Sequence, residues 1–263
     1  MARSRIRSVA GGFTLVGWML CGWNGPAAEQ PAAIVVTPAE LAAIVKESIK
    51  PIKQALAKPK DKTSANRIRT NAFVIALAAQ NAVQGSGPDA QKAARLRDAA
   101  LELAADTDGK QIKDVSAAAR VAKVIAAYPE IDTHVNGSNG PVDLLKQFDM
   151  ADIMRTFDKP VKGGQGIELQ LITLSNVRRV YKPAQMAGWH LSALKTALLA
   201  HAVSGHDPGM EAAKKKQWHD FSEDMERAAY ATMGTASNKD SKLFKLAIKK
   251  LNDTCTACHD VFK

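Results

Sequence analysis

Cys255, Cys258 and His259 carry the most specific chemistry in the chain. They read Cys255-Thr256-Ala257-Cys258-His259, and positions i, i+3 and i+4 of a helix share one face. Two thiols at that spacing can add to the two vinyl groups of a porphyrin. A histidine beside them can ligate the iron from the same side. The string is the attachment signal of c-type haem. A zinc site would need further Cys or His ligands at matching spacing, and no second C-x-x-C exists. A thioredoxin-like redox pair would accompany a strand–helix–strand pattern, which the sequence lacks. The expected cofactor is therefore one haem c per chain, with Cys255 and Cys258 as covalent thioethers and His259 as the proximal iron ligand.

The element that must present this motif is a helix. Phe244, Ala247, Ile248, Leu251, Cys255, Cys258 and Phe262 step by three or four residues, which puts the attachment cysteines on the apolar stripe. Lys242, Lys245, Lys249 and Lys250 take other faces. A matching stripe precedes it through Trp218, Phe221, Met225, Ala228, Ala229 and Thr232, two of whose aromatics are candidates to touch the porphyrin. The rest of the chain shows the same helical period, no alternating strand pattern, and many helix formers. Clusters of Gly, Pro, Ser and Asn break it at 85–88, 128–141, 160–166 and 205–209.

These breaks predict helices at 38–57, 63–84, 89–106 and 110–127, then at 142–158, 167–204, 211–234 and 240–262. The long 167–204 segment should be interrupted near Pro183, because proline disfavours a helical residue before it. The fold class is thus all-α: a four-helix bundle carrying the haem at 142–263, preceded by a second helical bundle without a haem motif at 29–135. The polar segment between them, with Asn136, Gly137, Ser138, Asn139 and Gly140, has a linker's composition. The halves also echo each other. Asn81-Ala82-Val83-Gln84-Gly85 precedes Pro88 as His201-Ala202-Val203-Ser204-Gly205 precedes Pro208, and Leu96-Arg97-Asp98-Ala99-Ala100 parallels Met225-Glu226-Arg227-Ala228-Ala229. Continued, that match sets Val124-Ile125-Ala126-Ala127-Tyr128 opposite the haem motif.

Residues 1–28 have the layout of a secretory signal peptide. Arg3, Arg5 and Arg7 precede an apolar stretch at 9–23, and small residues follow at Gly25, Ala27 and Ala28. The stretch is shorter than the ~20 residues that cross a bilayer. Cleavage would remove Cys21 and leave Cys255 and Cys258 as the only thiols, so no disulfide framework is expected. The expected compartment is the periplasm, with no membrane span after signal cleavage. The formal net charge is +10. No nucleic-acid-binding module accompanies it and the lysines are dispersed, so a nucleic-acid partner is not expected.

The segment Leu251-Asn252-Asp253-Thr254-Cys255-Thr256-Ala257-Cys258-His259-Asp260-Val261-Phe262 resembles the last helix of class II c-type cytochromes, the cytochrome c-prime group. Trp218-x-x-Phe221-x-x-x-Met225-x-x-Ala228-Ala229 is similar to that group's third helix. The resemblance covers about residues 142–263 and leaves 29–140 as an addition. It implies a four-helix bundle whose first helix faces the haem. Some members offer a ligating Met there. Others offer a non-ligating apolar residue, which leaves iron five-coordinate. The corresponding helix here contains Met150 and Met154, at i and i+4. Met154, within Ile153-Met154-Arg155-x-Phe157, is the favoured distal ligand, with Met150 or no residue as the alternatives. His190, His201, His206 and His219 lie off that helix, and His134 lies in the linker.

Met/His ligation saturates the iron and suits electron transfer. The expected function is therefore electron carriage rather than catalysis. An open distal face would instead bind nitric oxide or carbon monoxide. Peroxidase chemistry would need a distal His and Arg, a pairing that the first helix does not offer. The expected partner is a redox protein, acidic if the lysines steer the encounter. A homodimer is a further assembly to consider.

Overall fold

The structure is a computed structural model, and it describes residues 34–82, 87–108, 110–131, 142–176, 181–206 and 209–262. The signal segment, His134, most of the linker and residues 83–86 and 207–208 of the echoed turns lie outside them. Among the described residues the chain is all-helical, apart from one isolated bridge between Thr107 and Ile112.

The first half contains α1 (Pro38–Ala57), α2 (Ser64–Ala82), α3 (Pro88–Ala105) and α4 (Val115–Ala126). Local chemistry sets their starts. Thr37 and Glu40 close a capping box on α1, and the Asp114 carboxylate accepts from the Ala117 amide at α4. Pro38 and Pro88 occupy first-turn positions, where the missing N–H costs nothing. The helices pack in a closed circuit, α1 on α2, α2 on α3, α3 on α4 and α4 back on α1.

The second half contains α5 (Met150–Phe157), α6 (Ile167–Ser175), α7 (Pro183–Ser204), α8 (Ala212–Ser237) and α9 (Ser241–Phe262). Here one expected helix starts late, and the long 167–204 segment is interrupted near Pro183 as expected. The 142–158 segment forms a single 3-10 turn at Leu144–Lys146 and becomes α-helical only where Asp149 caps α5. The 167–204 segment is two helices, α6 and α7, with Pro183 opening the second. The circuit runs α6–α9–α8–α7 and is closed by α5, which touches both α6 and α7. No described helix is long and apolar enough to cross a membrane.

The described residues fall in one compact unit. α2 and α7 sit at the junction of the halves and pack on each other. α2 also packs on α5, and α7 on α1. Residues 73–79 of α2 and 193–199 of α7 are buried without a break, which happens only when a helix is covered on all sides. Aligning Asn81 with His201 superposes those two stretches. The buried stripe Ala118, Val121, Ala122 and Ile125 of α4 repeats the spacing of the buried Phe244, Ala247, Ile248 and Leu251 of α9. That sets Ile125 opposite Leu251, so burial does not place Val124–Tyr128 opposite the C-x-x-C-H motif as the sequence match sets it.

Candidate functional site

α9 is buried through Phe244, Ile248 and Leu251, and then its stripe emerges. Cys255, Cys258, His259 and Phe262 are only partly covered. In front of them lies a cleft of about 520 Å³, counting its open mouth. The space enclosed between its walls is about 40 Å³. α9 contributes Thr254, Cys255, Cys258 and His259 to its wall. α5 contributes Met154 and Phe157, and α6 contributes Glu168. Trp218, Phe221, Ser222 and Met225 of α8 and Val203 of α7 complete it.

The aromatic end is fixed in place. The Trp218 indole N–H donates to the Val203 carbonyl at 3.0 Å. Trp218 meets Phe262 edge-on with centroids 5.3 Å apart, and Phe221 meets Phe262 edge-on at 6.2 Å, the geometry that aromatic quadrupoles favour. The Met225 sulfur lies 4.0 Å from the Cys255 sulfur. Met154 lines the cleft, whereas Met150 is not among the lining residues.

Burial pushes the Cys255 thiol up to about 12, with Glu168 and Cys258 nearby adding to the shift. Burial raises Cys258 as well. A nucleophilic redox cysteine needs the opposite environment, one that stabilises the thiolate. The pair is therefore electrostatically unlike a dithiol–disulfide centre. Among the described residues no three His, Cys, Asp or Glu side chains gather to hold a bare metal ion. A haem iron needs no such group, because the porphyrin supplies four nitrogens.

The residues present fit a haem by the chemistry of the donor set. Both thiols open on an apolar cleft with an imidazole one residue beyond them and a thioether on another wall. The Nδ1 of His259 is 3.8 Å from a carboxylate oxygen of Glu168, which leaves Nε2 as the nitrogen for a metal. Ligating histidines commonly have such an acceptor behind them. Glu168, Phe157 and Val203 were not foreseen as wall residues. Phe157 carried a faint signal, three residues after Met154, while nothing local marks Glu168 or Val203. Among the described residues, the other histidines do not line the cleft. His190 reaches Glu40 at 2.8 Å, His201 reaches Glu226 at 3.4 Å, and His219 reaches Glu223 at 3.0 Å.

Compared with protein-family models, with curated proteins and with solved structures, the chain matches none.

Proposed function

We propose that this chain is an exported, periplasmic mono-haem c-type cytochrome that carries electrons. Cys255 and Cys258 would hold the haem as thioethers, with His259 as proximal and Met154 as distal iron ligand. One observation carries the reading: an apolar cleft gathers these four residues from α5 and α9, helices far apart in sequence. In this reading the haem belongs to the bundle at 142–263, and residues 29–135 form its haem-less companion.

The haem would supply one-electron chemistry at its iron. The chain's own groups do the rest. Phe157, Val203, Trp218 and Phe221 exclude water, which disfavours the more highly charged oxidised state. The Met154 thioether lines the cleft and would serve as a soft ligand to the haem iron, favouring its ferrous state. The Glu168 carboxylate, 3.8 Å from Nδ1 of His259, would favour that ring orientation by its charge. Lys242, Lys245, Lys249 and Lys250 are exposed along α9, where they would steer an acidic redox partner toward the haem helix.

Denaturing electrophoresis with a haem stain tests attachment, and the stain should survive acid–acetone extraction. The ferric protein should be low-spin, with the weak far-red band of a sulfur–iron bond. Met154→Ala should remove that band, lower the potential and open the iron to carbon monoxide, while Met150→Ala should do none of these. Loss of the stain on extraction would end the covalent reading. A high-spin wild-type protein that binds carbon monoxide rapidly would replace electron carriage with gas binding.

A further inference from the structure

We propose that Arg69, in the haem-less half, is a positioning residue for the distal wall of the cleft: it clamps α5 so that Met154 faces inward. The proposal rests on the function argued above and assigns a task to the half of the chain that lacks a haem motif.

α5 has eight residues, too few for a helix to hold itself in water, so its position must come from tertiary anchors. Asp152 and Met154 are two residues apart, which on an α-helix is about 200° of rotation. One face therefore points to the first half while the other lines the cleft. Asp152 is 3% exposed. Its carboxylate accepts from Arg69 Nε at 2.5 Å and from Arg155 Nη1 at 3.1 Å.

The Arg69 guanidinium reaches much further than one carboxylate. Nη2 donates to the Gln147 carbonyl at 2.8 Å, just ahead of the α5 cap. Nη1 donates to the Ala104 carbonyl at 3.2 Å and the Thr107 carbonyl at 3.5 Å, at the end of α3. The ring of Phe148 lies under the guanidinium at 5.2 Å and packs on Phe73 of α2 at 4.7 Å. A planar fork with five donors can join these elements at once, and an ammonium cannot. A hinge-like drift of α5 would break the Arg69 pair and leave the buried carboxylate with Arg155 alone, so the clamp favours one position.

The far end of α5 is held separately. The Thr70 hydroxyl donates to the Gly163 carbonyl at 2.7 Å. Gly164 fits so closely that a Cβ there would lie 2.4 Å from the Arg155 carbonyl oxygen. Removing the Arg69 clamp should thus free the start of α5 while its end stays tied.

The test compares the full-length wild-type protein with Arg69→Met, which keeps bulk but removes the fork, with Arg69→Lys, and with Asp152→Asn. Amide hydrogen exchange over residues 150–157 reads the clamp without reference to the cofactor. The far-red band and the carbon monoxide association rate read its effect on the distal position. Arg69→Met should raise α5 exchange about tenfold while α9 stays unchanged. It should also weaken the far-red band and speed carbon monoxide binding about tenfold. Arg69→Lys should restore part of each, and Asp152→Asn should give a smaller change of the same sign. If Arg69→Met does not fold, the two milder variants decide. Folded variants with wild-type exchange, band and rate would overturn the proposal. A wild-type protein without the far-red band would remove Met154 as ligand, and α5 exchange alone would then decide whether the clamp exists.

Discussion

The two halves run the same circuit of helices, but one closes with four unbroken helices and the other closes with one wall split in two. In the first half α1 is a single helix of 20 residues, and its core is filled by Leu96, Ile125 and Tyr128. In the second half the equivalent wall is broken into α5 and α6, of eight and nine residues. Lys159-Pro160 and the glycines at 163, 164 and 166 make the break, since proline removes an amide and Gly163 and Gly166 sit at positive φ. Met225, Cys255 and Cys258 of the second half line the cleft. The comparison teaches that interrupting one helix of such a bundle can leave a cleft against its neighbours.

The halves also brace each other by one rule, with acids on α1 and α5 and bases on α7 and α2. Glu40 pairs with His190 at 2.8 Å, Glu47 with Lys195 at 2.8 Å, and Asp152 with Arg69. Exchanging α1 for α5 and α2 for α7 turns one set of contacts into the other. That is the pattern a pseudo-twofold relation between the halves would give.

The largest contrast concerns the last helix of each half. His259→Ala should abolish the native haem spectrum or prevent haem incorporation. Tyr128→Ala, in the buried residue that follows α4, should leave the spectrum unchanged. Absorption spectroscopy of the two variants checks this, and an unaltered spectrum in His259→Ala would refute the proximal assignment.

A smaller contrast concerns packing. Leu96→Ala removes a fully buried side chain and should lower unfolding stability by about 2–5 kcal/mol, with no spectral change. Met225→Ala trims a residue that faces the cleft, so it should cost roughly 1 kcal/mol and shift the haem band. Denaturant titration and spectra of both variants decide between an open and a closed second core. Equal costs with identical spectra would sink the distinction.

The smallest contrast is electrostatic. Arg97 and Glu226 occupy matching sites in α3 and α8, and both are buried. The Glu226 carboxylate accepts from His201 and raises the histidine's pKa above its usual 6.5. The protonated form is therefore favoured in the fold. Its contribution is complete below about pH 6.5 and is lost as pH rises through the raised value. His201 is exposed, so the effect should be a few tenths of a kcal/mol. Melting temperatures measured across this range should show a decline that Glu226→Gln abolishes. An identical pH dependence in both proteins would remove the pair from consideration.

How much of this was legible follows from where each signal resides. The helical period, the caps and Pro183 are local, so the all-α class and most boundaries could be read directly. Asp149 as the true start of α5 was missed, because apolar periodicity continues upstream through Leu144 and Leu145, while only the cap decides where helical hydrogen bonding begins. Cys255, Cys258 and His259 were legible because their chemistry requires a fixed spacing along one helix.

What only the tertiary structure decided is what no single segment encodes. Met154 and Met150 are equivalent on the helix, and their different surroundings emerge only when α5 is docked against both α2 and the cleft. Glu168 and Val203 joined the cleft because α6 and α7 pack beside α9 and α8, and nothing near either residue in sequence announces it. The sequence by itself determined the helices and the C-x-x-C-H string, since both depend on neighbours a turn apart. The open cleft and the Arg69 clamp depend on contacts between distant segments, and those were decided by packing.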